Sequence, residues 1–204
     1  MKKSVLFGII GMAAGVASTY GQGFISLDNY SAGPRPLVTF GAGSGGTVGA
    51  GVTGGTWTVG LYFALGNVAG DATSGNGAVS GLLALGTGGS AAGATTGFLS
   101  GGYAGLFANS TAFQATVATP GNGGTTVTVE VVAYNGANYA SSTIRGHSSA
   151  FQMLAFAGTA FSATVGDPGA MSTFGVTPVP EPTTLALAGL GGLASLVMLR
   201  RKNA

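Results

Sequence analysis

Hydrophobic and polar residues alternate along several short segments of this chain, and a period of two predicts β-strands. The clearest segment is Thr125–Tyr134, in which three valines would face one side of a sheet while Thr128 and Glu130 face the other. In Thr56–Ala64, one face would carry the large side chains Trp57, Val59, Leu61 and Phe63. The other predicted strands are Gly23–Asn29, Leu37–Phe40, Phe113–Thr119, Ala150–Ala157 and Thr159–Val165.

Glycine-rich tracts separate these segments and predict loops, at Gly41–Gly55, Gly86–Gly97 and Pro120–Gly124. No stretch between residues 22 and 177 has the 3.6-residue pattern of an amphipathic helix. We therefore predict an all-β fold, a single antiparallel β-sandwich of about seven to nine strands over residues 22–177. A parallel β-helix is the alternative, although no repeat of about 20–50 residues supports it.

The first 21 residues have the organisation of a secretory signal peptide. Lys2-Lys3 precedes the apolar run Val5–Ala17, and small residues follow it. We expect a signal helix that is cleaved after Gly21, so that the mature chain starts at Gln22. The sequence therefore predicts export.

The last 27 residues, 178–204, form three consecutive parts. A proline-rich spacer, Pro178–Pro182, cannot join a helix or the middle of a sheet. The uncharged run Thr183–Leu199 would reach about 26 Å as a helix, close to the thickness of a bilayer core. We predict a transmembrane helix over 183–199, with a stop-transfer signal at Arg200, Arg201 and Lys202.

Pro180, Glu181 and Pro182, followed by this apolar run and the basic cluster, resemble the PEP-CTERM sorting signal of bacterial exported proteins. The resemblance implies an exosortase-type transpeptidase as partner and at least a transient membrane anchor. It also implies a cell-surface or extracellular-matrix location, with extracellular polysaccharide as a candidate partner. Whether the tail helix is removed or retained stays open.

The charge of the body argues against nucleic-acid binding. Five of the seven basic residues lie in the two terminal segments, and between residues 22 and 177 two basic residues stand against four acidic ones, a net charge of −2. No basic patch is available to neutralise phosphates. The chain also has no cysteine, which excludes disulfides and thiolate metal sites. We predict no cofactor and no metal.

Two carboxylates held about 5–9.5 Å apart could hydrolyse a glycosidic bond. The body offers only Asp28, Asp71, Glu130 and Asp167. Glu130 lies on the polar face of a predicted strand, which suits a glycosidase and equally suits a solvated surface. A polysaccharide-acting enzyme that uses Glu130 and an aspartate is therefore the alternative function.

His147 is the only histidine and, with Ser148 or Ser149 and Asp167, supplies the residue types of a catalytic triad. The Gly-x-Ser-x-Gly motif of a nucleophile elbow is absent. We therefore expect His147 to be a loop residue that hydrogen-bonds a backbone group, and we predict no catalytic residue.

Aromatic side chains are the remaining candidate for binding chemistry. Trp57, Tyr62, Tyr134 and Tyr139 could stack on sugar faces, although core packing is the favoured explanation for them. The sequence thus predicts an exported, non-enzymatic surface or matrix protein with a structural or adhesive role.

Overall fold

The computed structural model describes residues 23–31, 33–85, 93–115, 125–157 and 163–180. These residues form eleven β-strands and no helix, which confirms the all-β prediction. Three of the strands are only two residues long. The strands are β1 (Gly23–Ser26), β2 (Val38–Phe40), β3 (Trp57–Leu65), β4 (Ala84–Leu85), β5 (Thr95–Thr96), β6 (Phe113–Ala115), β7 (Thr125–Asn135), β8 (Ile144–His147), β9 (Phe151–Ala157), β10 (Ala163–Thr164) and β11 (Phe174–Pro178).

The strands pair into one connected sheet of mixed direction. Its main path runs β10-β1-β9-β7-β8-β11-β2, and β3 joins it by pairing with β7. Within the described residues the two ends of this path do not pair with each other, so the sheet is open. The pairs β1–β10 and β2–β11 are parallel, and the other pairs are antiparallel.

The predicted antiparallel β-sandwich of about seven to nine strands is therefore correct as an all-β fold but wrong in strand direction, because the sheet is mixed. The alternative, a parallel β-helix, is wrong, since most pairs are antiparallel. The two parallel pairs join strands that are far apart in the chain, as in the pairing of Val38 with Phe174. Local alternation of side chains identifies a strand but says nothing about such distant partners or their direction.

The long antiparallel pair β3–β7 forms the centre of the molecule. Its register runs from Trp57 opposite Asn135 to Leu65 opposite Val127. One face of this pair contributes to the main hydrophobic core, as the alternation predicted. The core side chains of the pair are Trp57, Val59, Leu61, Phe63, Val127, Val129, Val131 and Ala133.

The opposite face of the β3–β7 pair is also buried, which the sequence did not predict. Thr128, Glu130, Val132 and Tyr134 lie on this face and are at most 4% exposed. Residues 66–83, which connect β3 to β4, lie over it and are called the covering segment below. The strand therefore has two buried faces instead of one.

Both predicted terminal elements, the signal peptide over 1–21 and the transmembrane helix over 183–199, lie outside the described residues. So does most of the predicted strand Thr159–Val165, of which the structure shows only the part around β10. Among the residues that the structure describes, no helix is long and apolar enough to cross a membrane.

Candidate functional site

Polar side chains of the sheet hold the covering segment in place. The Thr128 hydroxyl donates to the carbonyl oxygen of Gly66 at 2.8 Å and accepts from the amide of Val68 at 3.1 Å. Further along, the Tyr139 hydroxyl donates to the carbonyl oxygen of Gly77 at 2.9 Å. These bonds attach the backbone of the covering segment to the polar side chains beneath it.

Glu130 is the most buried charged residue of this face, at 0% exposure. It lies in the middle of β7, opposite Tyr62 of β3. Its Oε1 accepts a hydrogen bond of 2.6 Å from the amide of Asp71 in the covering segment. The carbonyl oxygen of Asp71 in turn accepts from the amide of Ala150 at 2.8 Å. Asp71 is thereby fixed directly above Glu130.

His147 ends β8 and lies opposite Val132 of β7, so its side chain is on the same face as Glu130. The backbone of His147 pairs with Gly75 of the covering segment through bonds of 2.7 and 3.2 Å. The ring Nδ1 is 2.8 Å from the carbonyl oxygen of Ser148. Because a carbonyl oxygen only accepts, Nδ1 carries a proton, and the neutral ring keeps its lone pair on Nε2.

Asp71, Glu130 and His147 form one cluster, in which one donor atom of each side chain lies within 4.8 Å of the others. Glu130 Oε2 is 3.8 Å from His147 Nδ1. Among the described residues, the buried atoms Glu130 Oε2 and Asp71 Oδ2 have no hydrogen-bond partner. Two buried carboxylate oxygens without partners are costly, so the cluster needs a further proton or ligand.

Burial raises the pKa of Glu130 to about 7. The hydrogen bond from the Asp71 amide acts in the opposite direction, while the Asp71 carboxylate adds to the increase. Glu130 therefore titrates close to neutral pH.

Tyr139 and Arg145 lie on one side of the cluster. The ring of Tyr139 lies edge-on to that of His147, with centroids 6.5 Å apart. The Arg145 guanidinium lies 4.8 Å from the centre of the Tyr139 ring and donates to the carbonyl oxygens of Tyr139, Ala140 and Asn76. Burial also raises the pKa of the Tyr139 phenol well above its usual range. Arg145 is thus held by carbonyl groups and makes no ion pair with the cluster among the described residues.

The other two candidate carboxylates lie elsewhere and have local structural partners. Asp28 Oδ1 accepts from the amides of Tyr30 and Ser31 at 2.7 and 2.9 Å. Asp167 accepts from the amide and the hydroxyl of Thr164 at 2.9 and 2.8 Å. Both are turn-stabilising interactions typical of aspartate.

The structure does not assemble the Ser-His-Asp triad. Asp167 is engaged with Thr164, and the Ser148 hydroxyl accepts from the amide of Val131 at 3.0 Å. The expectation that His147 hydrogen-bonds a backbone group is confirmed, although it ends a strand and is buried instead of lying in a loop. The suggestion that Glu130 lies on a solvated face is wrong, because the covering segment excludes solvent from it.

The candidate carbohydrate-contacting aromatics lie in two separate places in the interior. Trp57 belongs to the main core, while Tyr62, Tyr134 and Tyr139 pack together on the covered face. Tyr62 is half-buried and the other three are at most 7% exposed. Their ring faces are used for packing, so the structure does not present them as a sugar-binding surface.

Sequence reasoning named each member of the cluster but did not bring the three together. The sequence pattern offers Asp71 as one of four carboxylates and places His147 beside Ser148 and Ser149. The members are 59 and 17 residues apart in the chain, and no motif spacing links them. The only usable signal was a charged residue, Glu130, in the middle of a strand.

The comparisons with known proteins concern the other end of the chain. The profile of the PEP-CTERM protein-sorting motif matches residues 178–202. This chain carries a PEP-CTERM sorting motif. Neither the curated proteins nor the solved structures give a match to the chain. The PEP-CTERM motif indicates export, sorting at the cell envelope and processing by an exosortase.

The body holds the first residues of the PEP-CTERM motif. Pro178 is the last residue of β11 and pairs with Ile144 of β8, so the expectation that the spacer stays outside the sheet is wrong for its first residue. Its carbonyl oxygen accepts from the Asn76 side chain at 2.6 Å, and the amide of Val179 donates to the carbonyl oxygen of Thr143 at 2.8 Å. Glu181, Pro182 and the basic residues Arg200, Arg201 and Lys202 lie outside the described residues.

Proposed function

We propose that this protein is an exported, non-enzymatic component of the cell surface or extracellular matrix. Its PEP-CTERM segment would act as the sorting address, and its β-sheet body would have a structural or adhesive role associated with exopolysaccharide. The observation that carries the proposal is the motif match at residues 178–202, which begins at the last residue of the final strand. The link to exopolysaccharide depends on the motif alone.

Three features of the body support a structural role. Its polar side chains are largely used to satisfy backbone groups, as Thr128 and Tyr139 do for the covering segment. Three of its four candidate sugar-stacking rings, Trp57, Tyr134 and Tyr139, are buried. Glu130, on which the alternative glycosidase depends, is completely buried, and a polysaccharide cannot reach it without displacement of the covering segment.

The test is the intact mass and the location of the protein in a host that exports it, with and without Glu181→Ala. We expect the wild-type protein to start near Gln22, to end near Pro182 and to leave the membrane fraction. Glu181→Ala should remain uncut and membrane-bound. Thr183→Ala, which lies beside the tripeptide and leaves it intact, is the matched control and should behave as wild type.

A full-length wild-type protein that stays in the membrane fraction, with no effect of Glu181→Ala, would contradict processing at this motif. Hydrolysis of the host's exopolysaccharide by the purified protein, abolished in Glu130→Gln, would contradict the non-enzymatic role and favour the glycosidase.

A further inference from the structure

The cluster under the covering segment combines two carboxylates and one imidazole around a common point. We propose that Asp71, Glu130 and His147 bind a divalent first-row transition metal ion, with Zn²⁺ as the representative, and that the ion fixes the covering segment to the sheet. This site is independent of the sorting motif and of the proposed surface role.

The donor set decides the class of metal. Imidazole suits zinc and its neighbours in the first transition row, and carboxylate oxygen is an accepted ligand for the same ions. Calcium would require about six to eight oxygen donors, which three side chains with one nitrogen do not supply. The chain has no cysteine, so a thiolate site for copper or iron–sulfur chemistry is excluded.

The distances are close to those of a bound ion. The three donor atoms lie within 4.8 Å of one another. Around an ion with bonds of about 2.0–2.2 Å, tetrahedral ligand atoms would be roughly 3.3–3.6 Å apart. Side-chain rotations that bring the donors about 1 Å closer would therefore supply three ligands, and a water molecule would take the fourth tetrahedral position.

The unpartnered oxygens point independently to a ligand. Glu130 is 0% exposed, and its Oε2 is directed toward His147 with no hydrogen-bond partner among the described residues. Asp71 Oδ2 is also buried and has no hydrogen-bond partner among the described residues. A cation between them would satisfy both atoms and neutralise two charges that the Arg145 guanidinium, which is held by carbonyl oxygens, does not reach.

The surroundings of His147 match those of a metal-binding histidine. Such histidines usually donate their second ring N–H to a carboxylate or a backbone carbonyl, which fixes the tautomer and the ring orientation. Here Nδ1 faces the carbonyl oxygen of Ser148 at 2.8 Å, which leaves Nε2 unprotonated in the neutral ring as the metal-binding nitrogen. The ring nitrogen that lies 3.8 Å from Glu130 Oε2 is Nδ1, so metal binding requires the ring to turn until Nε2 faces the ion.

The consequence for the fold follows from where the ligands lie. Glu130 belongs to β7 and His147 to β8, whereas Asp71 belongs to the covering segment. One ion would join two strands to a loop of the exported body. In a chain without disulfides, a metal ion would be an alternative means of cross-linking.

The experiment uses the full-length protein without a polyhistidine tag, treated with EDTA and dialysed. Calorimetric titration with ZnCl₂ measures affinity and stoichiometry. Because His147 is the only histidine, labelling with ¹⁵N-histidine gives the signals of a single ring, which report directly on the site. We expect one Zn²⁺ per chain and a large shift of the ring nitrogen signals.

Glu130→Gln and His147→Gln remove one ligand each and should weaken Zn²⁺ binding by more than about 100-fold. Asp167→Asn removes a carboxylate outside the cluster and should bind as wild type. Circular dichroism and Trp57 fluorescence check that each variant is folded.

Two results would overturn the proposal. One is the lack of saturable Zn²⁺ binding by the folded wild-type protein, which would mean that a proton or a water molecule satisfies the two oxygens. The other is binding that leaves the ring signals unchanged or persists in Glu130→Gln, which would place the ion elsewhere.

Discussion

The two faces of the β3–β7 pair are both buried, but by different interactions. On the core face, apolar side chains such as Leu61 and Val131 pack against side chains from other strands. On the covered face, Thr128, Glu130 and Tyr139 hold a loop by hydrogen bonds to its backbone. Apolar packing is non-directional and shared among many neighbours, whereas each of these hydrogen bonds depends on one donor and one acceptor.

This difference shows that the alternation of side chains along a strand identifies its two faces but does not show which face is exposed to solvent. Polar residues on the second face of β7 are buried because a loop, not a second sheet, covers them. A loop carries backbone donors and acceptors that require polar partners, so its contact surface is necessarily more polar than that of a strand face.

The largest effect should come from the core face. Leu61→Ala removes a completely buried side chain that lies opposite Val131, and should lower the free energy of unfolding by about 2–5 kcal/mol. Chemical denaturation measures the loss. Leu154→Ala, at a position 40% exposed, is the control and should cost much less. Equal losses for the two variants would mean that this face is not the main stabilising one.

A smaller effect is expected where the covering segment meets the sheet most closely. A Cβ on Gly70 would contact the Ala150 side chain and lie 2.7 Å from Glu130 Oε1, so Gly70→Ala should cost about 1–3 kcal/mol. It should also accelerate hydrogen exchange of the Asp71 amide, which bonds to Glu130.

Gly77 is the matched control for this substitution. It lies in the same covering segment, and a Cβ there would meet nothing within 4 Å. Gly77→Ala should therefore leave stability and the exchange of the Asp71 amide nearly unchanged. An equally small effect of Gly70→Ala on stability and exchange would mean that the covering segment does not pack closely against Glu130.

The third effect is a pH dependence confined to the covered face. The ordinary glutamate pKa of 4.5 rises to about 7 in the fold, so folding favours the protonated carboxyl. The stabilisation from protonated Glu130 is complete below about pH 4.5 and is lost as the pH rises to about 7. In EDTA, Glu130→Gln should therefore gain stability relative to wild type over this range.

Thermal unfolding of both proteins across this pH range gives the measurement. The difference between them reports Glu130 together with its interaction with Asp71, because the more distant carboxyl groups are common to both. Parallel curves would mean that Glu130 does not titrate between these limits.

The sequence was sufficient for the core face and for seven of the eleven strands, but not for β4, β5, β8 and β11. The alternation of Trp57, Val59, Leu61 and Phe63 corresponds to the observed side-chain directions, because a period of two is a local property of an extended chain. The parallel pairing of β2 with β11 could not be predicted in the same way, since it depends on contacts between residues 38–40 and 174–176.

The candidate site was harder to predict for the same reason. Glu130 was recognisable as a carboxylate within a strand, but its burial depends on residues 66–83, which have no repeating pattern. The convergence of Asp71 with His147 follows from two backbone attachments, at Ala150 and at Gly75, that no local sequence signal encodes. The sorting motif was predictable because all its parts are consecutive in the chain.

If residues 183–199 span the membrane as predicted, the hydrogen bonds that hold Pro178 and Val179 to the body set the length of the tether. Three residues separate Val179 from Thr183, and the four Cα–Cα steps between the two span at most about 14 Å when fully extended. The body would therefore sit against the headgroup layer until the tail is cut. Since β11 ends at Pro178, a cut near Pro182 would detach the body without removing any strand from its sheet.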